Sequence, residues 1–128
     1  MIGLLQRVTH AKVDVDGATV GRIGPGLLVL LAVEPDDGGG EAEKLVDRLL
    51  HYRVFEDPAG RMNLSLLDTG GELLLVPQFT LAADTGKGLR PSFTGAAPPE
   101  LGRQLFEHAA SHARRQIGER VALGQFGA

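Results

Sequence analysis

The 128-residue chain contains no cysteine, no tryptophan and a single tyrosine. Without cysteine, disulfides, thiolate nucleophiles and cysteine-ligated metal sites are excluded, and the composition fits a reducing compartment. The scarcity of aromatic residues predicts a core built mainly from Leu and Val. The 18 glycines indicate many turns.

Long hydrophobic runs are missing as well. The longest run, LLVLLAV at 27–33, is much too short to span a bilayer. The first residues, MIGLLQRVTHAKV, are interrupted by Arg7 and Lys12 and do not form the apolar segment of a signal peptide. We therefore expect a cytoplasmic protein with no membrane partner, folded as one domain over residues 1–128.

The chain also lacks an excess of positive charge, because its formal net charge is −3 at pH 7. Broad wrapping of a nucleic acid requires a basic surface that displaces counterions, so this class of binding is disfavoured. A local grip on one end of an RNA remains compatible with this charge.

The periodicity of apolar residues predicts an α+β fold. Val13 and Val15 alternate with polar residues, which is typical of a strand with one wet face, and Asp16-Gly17 supplies a tight hairpin turn. Helical spacing predicts one helix around 42–50 and a second that Pro98-Pro99 opens and Gly118 ends. The predicted strands are 2–8, 11–16, 19–23, 27–33, 52–55 and 72–76, with 27–33 buried on both faces. The expected architecture is a mixed or antiparallel, barrel-like sheet covered by two helices.

Three polar or glycine-rich features have ordinary structural interpretations. His108 and His112 have metal-ligand spacing, but the glutamate of a zincin motif is absent, so we expect a solvent-facing pair and no metal. Gly24-Pro25-Gly26 is better explained as a tight turn than as a phosphate cradle. A basic cluster of Arg114, Arg115 and Arg120 fits either a helix end or an RNA-facing surface, and both interpretations stay open.

The stretch LLLVPQFTLAADTGKGLRPSF at 73–93 carries the strongest functional signal. Pro77 has no N–H, so the strand is expected to end, bulge or lie at a sheet edge there. We expect unpaired backbone N–H groups near Gln78 and Phe79, which are the parts of an oxyanion hole and equally of a β-bulge. Thr80 has no adjacent base to activate it, so a nucleophilic attack by this residue is disfavoured.

Five segments together resemble the D-aminoacyl-tRNA deacylase family of the bacterial and eukaryotic type. They run through the whole chain in order: MIGLLQRVTHAKVDVDG, IGPGLLVLLAVEPDD, YRVFEDPAGRMNLSL, PQFTLAADTGKGLRPSF and LGQFGA. The resemblance implies a homodimer with a β-barrel-like fold, in which each subunit helps to build the other's site. It also implies hydrolysis of the ester between a D-amino acid, or glycine, and the terminal adenosine of tRNA, without a cofactor.

The resemblance further implies the residues of the site. Its Ser-Gln-x-Thr signature falls on 77–80, with main-chain amides near the ester carbonyl and the RNA 2′-hydroxyl assisting in place of a protein nucleophile. The residues implied as catalytic are Gln78, Phe79 and Thr80, and those implied as substrate-binding are Pro77, Arg7, Met62, Asn63, Arg90, Pro91 and Phe126.

Two departures from the family pattern affect these expectations. Pro77 replaces the usual serine, and a related animal deacylase with proline there has a relaxed chiral preference. The printed sequence stops at 124–128, before the family's Gly-Pro segment, so a missing final strand and a missing gate against L-amino acids are expected. Two alternative functions therefore stay open: a non-catalytic binder of the aminoacyl-adenosine end, and a general esterase that uses Thr80.

Overall fold

The computed structural model describes residues 1–78 and 97–125, and it confirms the α+β class and the mixed sheet. The strands are β1 (Ile2–Val8), β2 (Ala11–Val15), β3 (Ala18–Ile23), β4 (Gly26–Ala32), β5 (Phe55–Glu56), β6 (Met62–Leu64), β7 (Glu72–Pro77) and β8 (Val121–Leu123). The helices are α1 (Gly39–His51), α2 (Leu66–Thr69) and α3 (Pro99–Ile117), followed by a 3₁₀ turn at Gly118–Arg120.

The central sheet has four strands in the order β1-β4-β7-β8. β1 pairs with β4 antiparallel, whereas β4 with β7 and β7 with β8 are parallel pairs. Two separate ribbons, β2-β3 and β5-β6, complete the strands. Among the described residues these strands form an open sheet with two ribbons, and they do not close into the barrel that was expected.

One face of the sheet carries the hydrophobic core. Inward-facing leucines and valines of β4 and β7 pack against the apolar sides of α1 and α3, and most of them have almost no solvent exposure. Full burial of such a side chain stabilises the fold by about 1.5–3 kcal/mol. The sheet residues of this cluster are Leu27, Val29, Leu31, Leu73, Leu75 and Val121. Among the described residues, no helix is both long and apolar enough to cross a bilayer.

The opposite face of the sheet is covered at one end only. The β2-β3 ribbon lies over β7 and β8, and Gly21 approaches so closely that a Cβ there would lie 2.4 Å from the Leu123 carbonyl oxygen. Leu74 is fully buried beneath this ribbon, whereas Leu28 and Leu30 of β4 are partly buried and Leu4 of β1 is 55% exposed. The expectation that β4 is buried on both faces is therefore wrong for Leu28 and Leu30, on the face opposite the helices.

The segment between α1 and β7 differs from its predicted form. A strand over 52–55 was expected, but α1 continues to His51, and Tyr52 and Val54 form a turn before the two-residue strand β5. Helix α2 was not predicted. Its capping box is formed by Ser65, whose hydroxyl accepts from the Asp68 N–H at 3.2 Å, while Asp68 accepts from the Ser65 N–H at 2.9 Å. The hydrogen bond from the Ser65 backbone is the main reason that the pKa of Asp68 lies below its ordinary value, and the hydrogen bond with the Ser65 side chain adds to this effect.

Candidate functional site

Pro77 and Gln78, the first two residues of the Ser-Gln-x-Thr signature at 77–80, lie at the end of strand β7. Pro77 is in register with Leu31 of β4, and the backbone N–H of Gln78 donates to the Leu31 carbonyl oxygen at 2.9 Å. The expectation of an unpaired N–H at Gln78 is therefore wrong, because the ladder to β4 continues one residue beyond the proline. Phe79, whose N–H was the second expected donor, lies outside the described residues.

The direction of the backbone groups explains why a central strand tolerates this proline. Successive residues of a strand point their N–H and C=O groups to alternate neighbours. The Leu75 carbonyl oxygen accepts from the Gly124 N–H at 2.7 Å, on the β8 side, and the Gln78 N–H points to β4. The nitrogen of Pro77 therefore faces the β8 side, where the β7–β8 register ends at Leu75 and Leu123. The proline therefore keeps the ladder to β4 intact but offers no donor toward β8, and the strand ends at Pro77, one residue later than predicted.

Two of the predicted substrate-binding residues, Arg7 and Met62, are in direct contact. The Arg7 guanidinium nitrogen Nη1 lies 3.3 Å from the Met62 sulfur, joining the end of β1 to the first residue of β6. Met62 is 50% exposed, and Arg7 and Asn63 are exposed too. A thioether is a weak acceptor, so it orients the guanidinium without neutralising its charge.

Arg7 and Pro77 lie at opposite ends of the sheet. Arg7 is in register with Leu27 of β4, while Pro77 is in register with Leu31, one strand farther along. At about 3.3 Å per residue and about 4.8 Å between strands, their Cα atoms are roughly 16 Å apart. The predicted residues Thr80, Arg90, Pro91 and Phe126 lie outside the described residues, as does Phe79.

The two histidines of α3 connect it to α1. Nε2 of His108 lies 3.1 Å from Oε2 of Glu43, and Nε2 of His112 lies 2.8 Å from Oδ1 of Asp47. His112 is only 9% exposed, so the expectation of a solvent-facing pair is wrong for it. The hydrogen bond from His108 holds the pKa of Glu43 below its ordinary value. A sequence signal for this contact was missed. Two carboxylates are spaced four residues apart on α1, and they match the four-residue spacing of the two histidines on α3.

A metal centre is not formed by these groups in the part of the chain that the structure describes. No set of three or more His, Cys, Asp or Glu side chains there is arranged to hold an ion. The four helix residues instead form an interhelical cluster, in which Nδ1 of His112 also lies 3.7 Å from Oε1 of Glu43.

The remaining two sequence features have structural roles. Arg120 donates from Nε to the Ile117 carbonyl oxygen at 3.3 Å and from Nη1 to the Gly71 carbonyl oxygen at 3.4 Å. This favours the helix-end interpretation for Arg120. The turn at Gly24-Pro25 is tied to the start of β7, because Gly24 N–H donates to the Glu72 carboxylate at 2.8 Å and Glu72 N–H donates to the Pro25 carbonyl oxygen at 3.1 Å.

Comparison with known proteins gives a consistent result. Residues 4–128 match the family described as D-Tyr-tRNA(Tyr) deacylase. A D-aminoacyl-tRNA deacylase of Nitrosococcus oceani is 61% identical over 128 residues, which cover all of this chain and 82% of the relative. The enzyme of the same name from Thioalkalivibrio sulfidiphilus is 62% identical, with 100% and 85% of the two chains covered.

Two solved structures have the same fold. One, described as c-Myc DNA Unwinding Element Binding Protein, has a TM-score of 0.92 and 37% identity, covering 98% of this chain and 85% of its own. The other, described as a probable eukaryotic D-amino acid tRNA deacylase, has a TM-score of 0.82 and covers 98% and 88%. At 21% identity, the second likeness supports the fold alone.

Proposed function

The chain belongs to the D-Tyr-tRNA(Tyr) deacylase family, and on that premise we propose that it hydrolyses the ester bond of D-aminoacyl-tRNA. The products are the free D-amino acid and the tRNA. The observation that carries this proposal is the 61% identity with a D-aminoacyl-tRNA deacylase over the whole of this chain. Glycyl-tRNA mischarged on tRNA(Ala) is a second substrate of the same bond type, and the cytoplasm, where tRNA is charged, is the proposed compartment. Such an enzyme removes D-amino acids and misplaced glycine from tRNA before they reach translation.

The chemistry that we propose uses the backbone more than a side-chain nucleophile. Water attacks the acyl carbon, the bond to the 3′-oxygen breaks, and that oxygen recovers a proton, with the neighbouring 2′-hydroxyl of the ribose assisting the transfer. Because the Gln78 N–H already donates to Leu31, the candidate donors to the carbonyl oxygen are the amides of Phe79 and Thr80. This hydrogen bond also fixes the backbone from which the Gln78 side chain projects.

A direct test compares three esters. We expect the 128-residue chain to hydrolyse D-Tyr-tRNA(Tyr) and to leave p-nitrophenyl acetate at its background rate. Release of labelled tyrosine would be followed beside L-Tyr-tRNA(Tyr) as the chiral control. Binding of the charged tRNA without turnover would instead identify a non-catalytic binder, and rapid cleavage of the simple ester would identify a general esterase.

Replacement of Thr80 tests the absence of a protein nucleophile. We expect Thr80→Ala to retain activity within a few-fold, since a hydroxyl without an adjacent base is a poor nucleophile. The measurement is single-turnover hydrolysis with an acid quench. An acyl group trapped on the Thr80 hydroxyl would overturn the proposed backbone mechanism.

We further propose that the uncovered sheet face mediates homodimer formation. Leu4, Leu28 and Leu30 line a shallow apolar cleft of about 220 Å³ on the face opposite the helices. Leu4 is 55% exposed and Ile2 is 37% exposed, so burial of this patch would remove apolar surface from water. A second copy of the chain is the occupant that the family resemblance implies. The roughly 16 Å between Arg7 and Pro77 in one subunit also favours a site that needs two subunits.

A charge placed in this cleft should weaken the dimer. Leu4→Asp would bury a carboxylate without a partner at the interface, and we expect at least a tenfold rise in the dimer dissociation constant, or about 1.4 kcal/mol. The isolated subunit should keep its melting temperature, because Leu4 is largely exposed there. Sedimentation velocity over a concentration series measures both species.

Leu67→Asp is the matched control, since Leu67 is 37% exposed on α2, away from this cleft. It should leave association unchanged. A dimer of Leu4→Asp as tight as the unmodified one would show that another surface is used.

A further inference from the structure

A cleft of about 470 Å³ lies beside the β2-β3 ribbon, outside the residues assigned above. It is lined by His10, Ala11, Lys12, Arg22 and Ile23. Ala11 and the buried Ile23 form an apolar floor, and the other three residues, all exposed, carry nitrogen donors. In a chain of net charge −3, a cleft edged by two permanent cations and an imidazole is unlike the average surface.

The two cations face each other across the ribbon. Lys12 and Arg22 are directly paired in the antiparallel register of β2 and β3. Like charges in directly opposed positions destabilise a strand pair. A binding site for an anion provides a physical reason for this arrangement, since the anion would lie between the two cations.

One carboxylate partly offsets these charges. Asp14 lies 3.3 Å from the Lys12 ammonium and accepts from the Thr19 hydroxyl at 2.6 Å. The pKa of Asp14 lies below its ordinary value, mainly because of the hydrogen bond from Thr19. The hydrogen bond from Lys12 and the charge of Arg22 lower it further. Asp14 therefore stays ionised at neutral pH and satisfies one positive charge, and the cleft keeps one net positive charge for a ligand.

The position of the cleft relates it to Arg7, one of the candidate substrate-binding residues. His10 follows Arg7 by three residues, a span of at most about 11 Å of chain. On the other side, Arg22 follows Gly21, whose Cβ position would lie 3.2 Å from Leu74 of β7. Leu74 precedes Gln78 by four residues, or about 13 Å of strand. The cleft thus lies at the end of the sheet that carries Arg7, where Gly24 N–H donates to Glu72, and away from Gln78 of the same chain.

We propose that this cleft binds a backbone phosphate of the acceptor end of the aminoacyl-tRNA, next to the terminal adenosine. The inference rests on the proposed deacylase function and adds an RNA-binding subsite to it. The Arg22 guanidinium donates to two phosphate oxygens, Lys12 supplies a point charge, and His10 donates from a ring nitrogen. The Thr9 hydroxyl, 3.2 Å from Nδ1 of His10, orients that ring.

The test compares two substrates that differ in their phosphates. The double variant Lys12→Gln/Arg22→Gln should raise KM for D-Tyr-tRNA(Tyr) about tenfold, because it can no longer neutralise the phosphate. It should leave KM and kcat for 3′-O-(D-tyrosyl)adenosine, which has no phosphate, unchanged. The slope of log K against log salt should become shallower by about one unit for each cation–phosphate interaction that the variant removes.

Two further variants separate a binding role from a structural one. Lys44→Gln/Arg48→Gln removes the same charge from exposed positions on α1 and should not change KM for either substrate. Asp14→Asn removes the competing carboxylate from the cleft, so KM for the tRNA should fall a few-fold. A purely structural Lys12–Asp14 pair would give no such gain.

The inference can also be tested apart from catalysis. Fluorescence anisotropy would measure the binding of an acceptor-stem minihelix that carries no amino acid. If the unmodified chain hydrolyses neither substrate, the proposed function fails. If the double variant binds the minihelix as tightly as the unmodified chain does, or loses activity on both substrates equally, the phosphate subsite is overturned.

Discussion

Gln78→Ala is expected to slow the hydrolysis of D-Tyr-tRNA(Tyr) about 100-fold or more, the typical cost of removing one donor that stabilises the transition state. The backbone at Gln78 is held by the hydrogen bond to Leu31 and by the register of Pro77 with the same residue. The side chain therefore projects from a fixed point at the end of β7, and such fixed placement is what orientation of an ester requires. The measurement is kcat/KM with a charged tRNA under single-turnover conditions.

Two controls show whether the amide acts on the ester. Gln78→Glu preserves the shape but replaces the NH₂ donor with a carboxylate, so it should be nearly as slow as the alanine variant. Gln104→Ala removes an exposed glutamine of α3 and should leave the rate unchanged. Melting temperatures of all three should agree with that of the unmodified chain. A Gln78→Ala rate within threefold of normal would remove the side chain from the mechanism and leave the backbone amides alone.

Local sequence was sufficient for the elements whose cause is local. The 3.6-residue spacing of apolar side chains predicted α1 and α3, and Gly118 ends α3 with a φ of 65°, a conformation that glycine adopts without strain. Asp16 and Gly17 have the positive φ values, 51° and 81°, of a tight hairpin turn. Each of these features depends on residues within a few positions of one another.

Pairing between distant segments could not be predicted in this way. Nothing near Pro77 indicates that β7 is flanked by two parallel neighbours, so the ladder bond of Gln78 was missed. The link from His112 to Asp47 joins positions 65 residues apart, and the contact of Arg7 with Met62 joins positions 55 apart. Arg7 and Met62 entered the predicted site through family resemblance, since their spacing alone carries no such information.

Among the glycines that the structure describes, Gly26 should be the least tolerant of substitution. It is the first residue of β4 and is paired with Val8 on one side and Glu72 on the other. A Cβ at Gly26 would lie 1.8 Å from the Glu72 carbonyl oxygen and 2.7 Å from its carbonyl carbon and nitrogen. All three are backbone atoms, so no side-chain rotation relieves the clash, and β7 would have to move away from β4.

We therefore expect Gly26→Ala to lower the free energy of unfolding by more than about 4 kcal/mol, the range of exceptional single substitutions. For a domain of this size the melting temperature should fall by about 15 °C. Deacylase activity should fall with the folded fraction, because β7 carries Pro77 and Gln78. Thermal unfolding followed by circular dichroism, beside the activity assay, measures both effects.

Gly24→Ala is the matched control in the same turn. A Cβ at Gly24 would lie 3.2 Å from the Glu72 side-chain oxygen Oε1, which is the far end of a flexible side chain and can move by a few tenths of an ångström. We expect a destabilisation of about 1 kcal/mol there, close to the average for point substitutions. A much larger destabilisation at Gly26 than at Gly24 would show that glycine is needed at Gly26 because β4 and β7 are in close parallel contact there. Equal destabilisation at both positions would mean that turn flexibility, and not the approach of Glu72, determines the need for glycine.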